Sequence, residues 1–399
     1  MSEYIDDVTQ HLAQDDFQQY WPGFELVAYA LYDENFVYLF NHPKMIKEPN
    51  KKYQILRRDD QFNGCTLILH HDYPTAIVDL ELYNDDASLY SILVHELFHG
   101  FQYLKDESRF ANEMMGVTYP LLKENIELRN QERISLYRAV FENNNEKKQQ
   151  FLTTFIALRE KRTSIINDHL QYENLIETIE GPAWYVELKS YSEKSDQSYD
   201  SILANYGQQL MDKYESSSNI RRSCYSSGLF ICLLLDQLVP DWKEDFWGRE
   251  ETIYQLLKQN FNEIVQINAV KISPETEKVL ERTLQKRKSM IINFEQQAGF
   301  HLIIEGKITA KGFDPMNILL FEDRLLHKNF LKIDINNQDY LVQQPVIAYC
   351  KDGLRNISKL HLVLRNKPFE NGESITIDGI GIIKGKYEVK NGRLHLYVS

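Results

Sequence analysis

The chain has 399 residues, of which 43% are apolar and 26% charged, with a formal net charge of −13. That length exceeds one ordinary hydrophobic core, so two or three domains are expected, and the acidic balance argues against a phosphate backbone as partner. The longest apolar run, Leu229–Leu235, is far short of a membrane span. The opening residues MSEYIDDVTQHLAQDDF lack the basic start and apolar run of a secretory signal. Cys65, Cys224, Cys232 and Cys350 are too scattered for a zinc knuckle or a disulfide framework. Together these features predict a cytoplasmic protein with reduced thiols and with neither a nucleic-acid nor a membrane partner.

In chain order, residues 1–85 read as a strand-rich part. FELVAYALY, NFVYLFN, YQILRR, CTLILHH and TAIVDLELY are rich in β-branched and aromatic residues and separated by Asp, Asn, Gly or Pro. His70 and His71 end one of these strands and read as a pair exposed to water. Residues 86–299 read as helical. Asp85 or Asp86 caps a helix from Ala87 to about Lys105. Charged helices follow over about Tyr119–Glu142 and Asn145–Leu170, split by ENNNE. Further helices are expected over Asn174–Glu193, Tyr199–Tyr214, Ser223–Leu238, Arg249–Phe261 and Pro274–Gln297. The run ERTLQKRK at residues 281–288 mixes signs and reads as the solvated face of a helix. Residues 300–399 alternate again, in HLIIEGKITA, NILLFED, KLHLVLRN and RLHLYVS, and predict an all-β domain.

The chemistry-bearing motif is His95-Glu96-Leu97-Phe98-His99. Histidines four apart on a helix share one face, so their rings can converge on one zinc ion. The glutamate between them then stands beside the water, where it can take a proton and pass it to a leaving amine. A catalytic zinc needs a third protein ligand and a position open to water. Candidates are carboxylates on a downstream helix. Glu180 is followed by Gly181 and Ala183, small residues that allow a close helix approach. Glu173 and Glu177 are alternatives on the same helix. Glu187, two turns beyond Glu180, could orient a histidine from behind.

The pairing of HELFH with EGPAWYVE resembles the gluzincin metallopeptidases, in particular the alanyl-aminopeptidase and leukotriene-hydrolase branch. That resemblance implies a thermolysin-like catalytic domain, with Glu180 as zinc ligand beside His95 and His99 and with Glu96 as general base. Cys224-Tyr225-Ser226-Ser227-Gly228 resembles the branch's Tyr-x-x-Gly helix start, which implies that Tyr225 stabilises the oxyanion. The long spacing from His99 to Glu180 calls for two extra helices between the ligand helices, and the branch's Gly-x-Met-Glu-Asn segment is missing. Arg221 and Arg222 read as a solvated helix start, with a substrate carboxylate as the other reading. The strand TAIVDLELY is expected at the cleft edge, where an extended peptide could add to it.

The expected architecture is therefore α+β: a small N-terminal sheet on a mainly helical catalytic domain, followed by an all-β domain. The expected activity is zinc-dependent hydrolysis of peptide or protein substrates. The alternative is an inactive metal-containing scaffold that binds a partner through its β domain.

Overall fold

Alternating apolar side chains draw the N-terminal strands into one sheet. The computed structural model describes residues 2–44, 52–261, 265–351 and 353–399. Strands β1 (Ala28–Tyr32), β2 (Phe36–Phe40), β3 (Gln54–Arg57), β4 (Thr66–His70) and β5 (Tyr73–Asp79) lie in the order β3-β2-β1-β5-β4. All neighbours are antiparallel except β1 and β5. Strand β1 is buried on both faces: Tyr29 and Leu31 enter the main core, while Ala30 and Tyr32 pack with Phe62 and Ile77 on the other side. Strand β5 has a neighbour on each flank, and residues 80–82 turn into a 3-10 helix. The expectation that TAIVDLELY forms the cleft edge is therefore corrected: β5 is an inner strand, and among the described residues the edge strands are β3 and β4. His70 is also not exposed, since it is 5% accessible and packs against Phe62. His71 is exposed, with a left-handed φ of 46°.

The helices, in chain order, are α1 (Ser2–Gln14), α2 (Asp86–Leu104), α3 (Glu113–Val117), α4 (Lys123–Phe141), α5 (Asn145–Ile166), α6 (Asp168–Lys194), α7 (Tyr199–Met211), α8 (Glu215–Ser218), α9 (Ile220–Leu238), α10 (Ile253–Lys258) and α11 (Pro274–Glu295). The chain is α+β and forms two units: Met1–Ala111 with Glu124–Lys271, and Asn112–Lys123 with Ile272–Ser399. In the first unit α4 and α5 fall between the motif helix α2 and the Glu180 helix α6, where two inserted helices are expected.

Helix α6 is one continuous element from Asp168, although a break was expected near residue 170, and it runs through Gly181 and Pro182. Gly181 serves a close approach, but towards α9 and not towards the motif helix. A Cβ on Gly181 would meet the Gly228 backbone at 2.6 Å. One on Gly228 would lie 2.7 Å from the Gly181 Cα and the Glu177 carbonyl. Beside this crossing lies a fully buried ionic cluster. Arg159 binds Glu177 and Glu132, Arg162 binds Glu132 and Glu173, and Arg129 binds Glu173. Ser227 of α9 donates to Glu177 Oε1 at 2.5 Å, tying the two helices by a hydrogen bond as well as by contact. Trp21 packs edge-on against Phe98 of α2, Tyr185 of α6, Trp242 and Phe246, and so pins α2 and α6 to one core.

The second unit is built on a long strand, β6 (Phe300–Phe313), at the centre of a nine-stranded sheet. Residues 318–364 supply β7 to β12 (Ile318–Phe321, Arg324–His327, Leu331–Ile335, Gln338–Val342, Val346–Cys350 and Asn356–Leu364). Strands β13 (Phe369–Asn371), β14 (Ser374–Ile377) and β15 (Gly381–Lys384) form a separate three-stranded sheet. β16 (Lys386–Lys390) pairs with β17 (Arg393–Tyr397), which returns parallel to β6. Helix α11 belongs to this unit by its contacts, because its Ile291 and Phe294 pack on Leu326 and Ile347. The division drawn at residue 299 thus shifts to Ile272, and the helical segment 272–299 joins the β strands.

Two predictions follow from these contacts. Gly228→Ala forces two backbones apart and lowers stability by about 1–3 kcal/mol in urea unfolding, the range for overpacking; a variant as stable as the parent would contradict the crossing. Burial of His327 pushes its pKa down to about 4, and burial of His361 pushes its pKa to about 3. Both are therefore neutral when folded and take up a proton on unfolding below about pH 6.5. Their stabilising effect is complete above that pH and is lost as pH falls towards 4. Between pH 7 and 5 each removes up to about 2 kcal/mol. His327→Leu should narrow the pH 7 to 5 stability difference by up to that amount, read by urea unfolding of the full chain.

Candidate metal centre

Helix α2 begins where the sequence requires it. Asp85 is the cap, and its carboxylate accepts from the Ser88 amide at 2.8 Å. Leu89, Leu93, Val94, Leu97, Phe98 and Phe101 are all at most 2% exposed and bury the helix, leaving His95 and His99 on one face. The ring centroids are 4.8 Å apart and the two Nε2 atoms 3.1 Å apart. From α6, Glu180 Oε2 lies 3.3 Å from His99 Nε2 and 3.8 Å from His95 Nε2. Among the described residues, His95, His99 and Glu180 are the one such cluster of potential metal ligands.

The other carboxylates of α6 have different work. Glu173 and Glu177 are 0% exposed and held by Arg129, Arg159 and Arg162, so neither is available to an ion. Glu187 stands behind the site. Its Oε2 is 2.8 Å from His95 Nδ1, and its Oε1 accepts from the Tyr206 hydroxyl at 2.8 Å.

The hydrogen bonds assign the tautomers. A carboxylate only accepts, so His95 Nδ1 carries the proton it gives to Glu187. A carbonyl likewise only accepts, so Gln102, whose Nε2 donates to Ile179 O at 2.8 Å, must turn its Oε1 towards His99. His99 Nδ1 donates to that oxygen at 2.7 Å. With both Nδ1 atoms engaged as donors, the two Nε2 atoms are turned towards each other and towards the Glu180 carboxylate. These three atoms call for a positive charge among them, which a proton shared between His99 Nε2 and Glu180 or a metal ion would supply. Ligand atoms around a tetrahedral ion with bonds of about 2.0–2.1 Å stand about 3.3–3.4 Å apart, close to the separations seen. The residues therefore fit a metal ion.

The titration behaviour expresses the same crowding. Burial opposes a charge on His99, yet Glu180 and Glu96 outweigh it and hold the imidazole above its ordinary range. Burial likewise opposes the Glu180 charge, and His99, Arg221 and His95 outweigh it and hold that carboxyl below its range. Glu96 is 6% exposed; burial, reinforced by Glu180 and Glu187, pushes its carboxyl up. A raised carboxyl is a better proton acceptor, as a general base requires.

The Gly181–Gly228 crossing carries Tyr225 and Arg221 of α9 to the site. Arg221 Nη2 donates to Glu180 Oε1 at 2.9 Å, and Nη1 donates to the Tyr225 hydroxyl. Arg221 is thus tied to the third candidate ligand, which corrects its reading as a solvated helix start; Arg222 is exposed. Burial, then Glu180, pushes the Tyr225 phenol up, so its hydroxyl keeps its proton at neutral pH. Gln102 and Arg221 are the partners that sequence reasoning missed. A signal for Gln102 existed: it is a polar residue one turn beyond His99 on a helix otherwise apolar there.

Comparison with protein-family models, with curated proteins and with solved structures finds no significant match. The functional reading therefore rests on the geometry. Gln102→Leu frees the His99 ring and its tie to α6, and should weaken metal binding by about 10- to 100-fold, the usual effect of losing such a partner. Competition with a chromophoric chelator measures it, and unchanged affinity would remove Gln102 from the site.

Proposed function

We propose that this chain is a zinc-dependent hydrolase, a peptidase of the gluzincin type with a thermolysin-like catalytic unit. The observation that carries the reading is the convergence of His95 Nε2, His99 Nε2 and Glu180 Oε2 beside a buried Glu96. These three residues would hold the metal. When bound, zinc polarises a carbonyl and lowers the pKa of water. Glu96 accepts a proton from the attacking water and returns it to the departing amine, so that the peptide bond breaks with no net change in the enzyme. Tyr225 donates a hydrogen bond to the oxyanion as charge develops there.

An active site, as opposed to a structural one, is supported by the number of ligands. Three protein groups converge among the described residues, which leaves room for water, whereas a closed structural site takes four. Strand β4 supports a peptide substrate. It has one strand neighbour among the described residues and lies against the motif helix α2, so its outer edge offers unpaired backbone groups to which an extended chain could add. No described helix is long and apolar enough to cross a membrane.

Glu96→Gln tests the reading directly. It should retain bound zinc by elemental analysis while digestion of a proteome-derived peptide library falls by about 100- to 10,000-fold, the usual weight of a general base. Undiminished cleavage by that variant, or a parent protein without metal, would overturn the proposal.

A further inference from the structure

We propose that Arg221 is a positioning residue that keeps Glu180 to one coordinating oxygen and aims the Tyr225 hydroxyl into the site. The inference rests on the metal reading above and adds a residue to which that reading gives no role.

Glu180 divides its two oxygens. Oε2 faces the histidine pair at 3.3 and 3.8 Å, while Oε1 accepts from Arg221 Nη2 at 2.9 Å. An oxygen engaged by a charge-assisted bond to guanidinium is drawn away from an ion. Released, the carboxylate could turn both oxygens inward and occupy the position that a catalytic site leaves to water. The guanidinium also has no acceptor atom, so in its bond to Tyr225 the phenol oxygen must accept. The hydroxyl's own hydrogen is then left to donate, to Glu180 at rest or to a developing oxyanion.

The fork of Arg221 is suited to two partners at once, because separate nitrogens reach them from a planar group that also lies over the Tyr225 ring at 5.4 Å. Its position is set by packing. Arg221 and Tyr225 are one turn apart on α9, and α9 is fixed against α6 by the Gly181–Gly228 contact and the Ser227–Glu177 bond. The Arg221 side chain is 27% exposed and that of Glu180 only 6%.

The test uses the full chain, stripped of metal and reloaded with Co2+, whose visible absorption weakens and shifts as its coordination number rises. Arg221→Gln should bind Co2+ with a weaker, shifted band, Arg221→Lys should recover part of the lost intensity, and Tyr225→Phe should keep the parent band. Circular dichroism establishes that each variant is folded. Peptide hydrolysis by Arg221→Gln should fall about 100-fold, the lower end for loss of an oxyanion donor. The double variant Arg221→Gln/Tyr225→Phe should lose less than the product of the two single losses, because one residue acts partly through the other. A parent-like band in both Arg221 variants would overturn this inference and leave the metal reading standing. A parent chain that binds no Co2+ would overturn both.

Discussion

The candidate centre in the larger unit depends on two backbones that touch. Where α6 and α9 cross at Gly181 and Gly228 there is no room for a methyl group, so the helices meet at one register. That register places Glu180 on one side of the contact and Arg221 with Tyr225 on the other. On the far face of α6, Gln102 reaches the carbonyl of Ile179, the residue before Glu180. A carboxylate held this way stands close to both imidazoles, ready to share a proton or an ion with them.

The same helix carries a second electrostatic problem one and two turns earlier. Glu173 and Glu177 are as buried as any side chain in the molecule, and they are tolerated because three guanidiniums answer them. Removing one member of such a set leaves an unpaired charge at a cost of about 3–5 kcal/mol. Two glutamates seven or fewer residues from Glu180 thus have opposite roles, decided by whether arginines or imidazoles face them.

This division explains what could be read without a structure. His95, Glu96 and His99 were legible because their spacing is itself the chemistry, and Asp85 because capping is local. Glu187 was legible from its place on the helix face. Glu180 was singled out from Glu173 and Glu177 by its Gly181 and Ala183 context, but the reason the other two are unavailable was not legible, since it depends on Arg129, Arg159 and Arg162, which lie on α4 and α5. Those helices show almost no amphipathic bias, because charged and apolar residues are both buried, and the sequence marks them only as charged helices. Gly181 announced a close contact but could not name its partner. The strand patterns of residues 24–83 were legible as strands, yet the order that makes β4 an edge is a long-range fact. Helix α11 was expected with its helical neighbours, whereas Ile291 and Phe294 assign it to the sheet.

The buried ionic cluster has a consequence for the motions open to α6. If this helix frayed in its middle, it would strand several charges with no solvent to receive them until the surrounding helices also parted. The amide hydrogens around Glu173 to Glu180 are therefore expected to exchange with solvent only when the whole unit opens. Glu180 would then sit on a segment that opens only with the whole unit, and any mobility needed to admit and release a substrate would have to come from elsewhere.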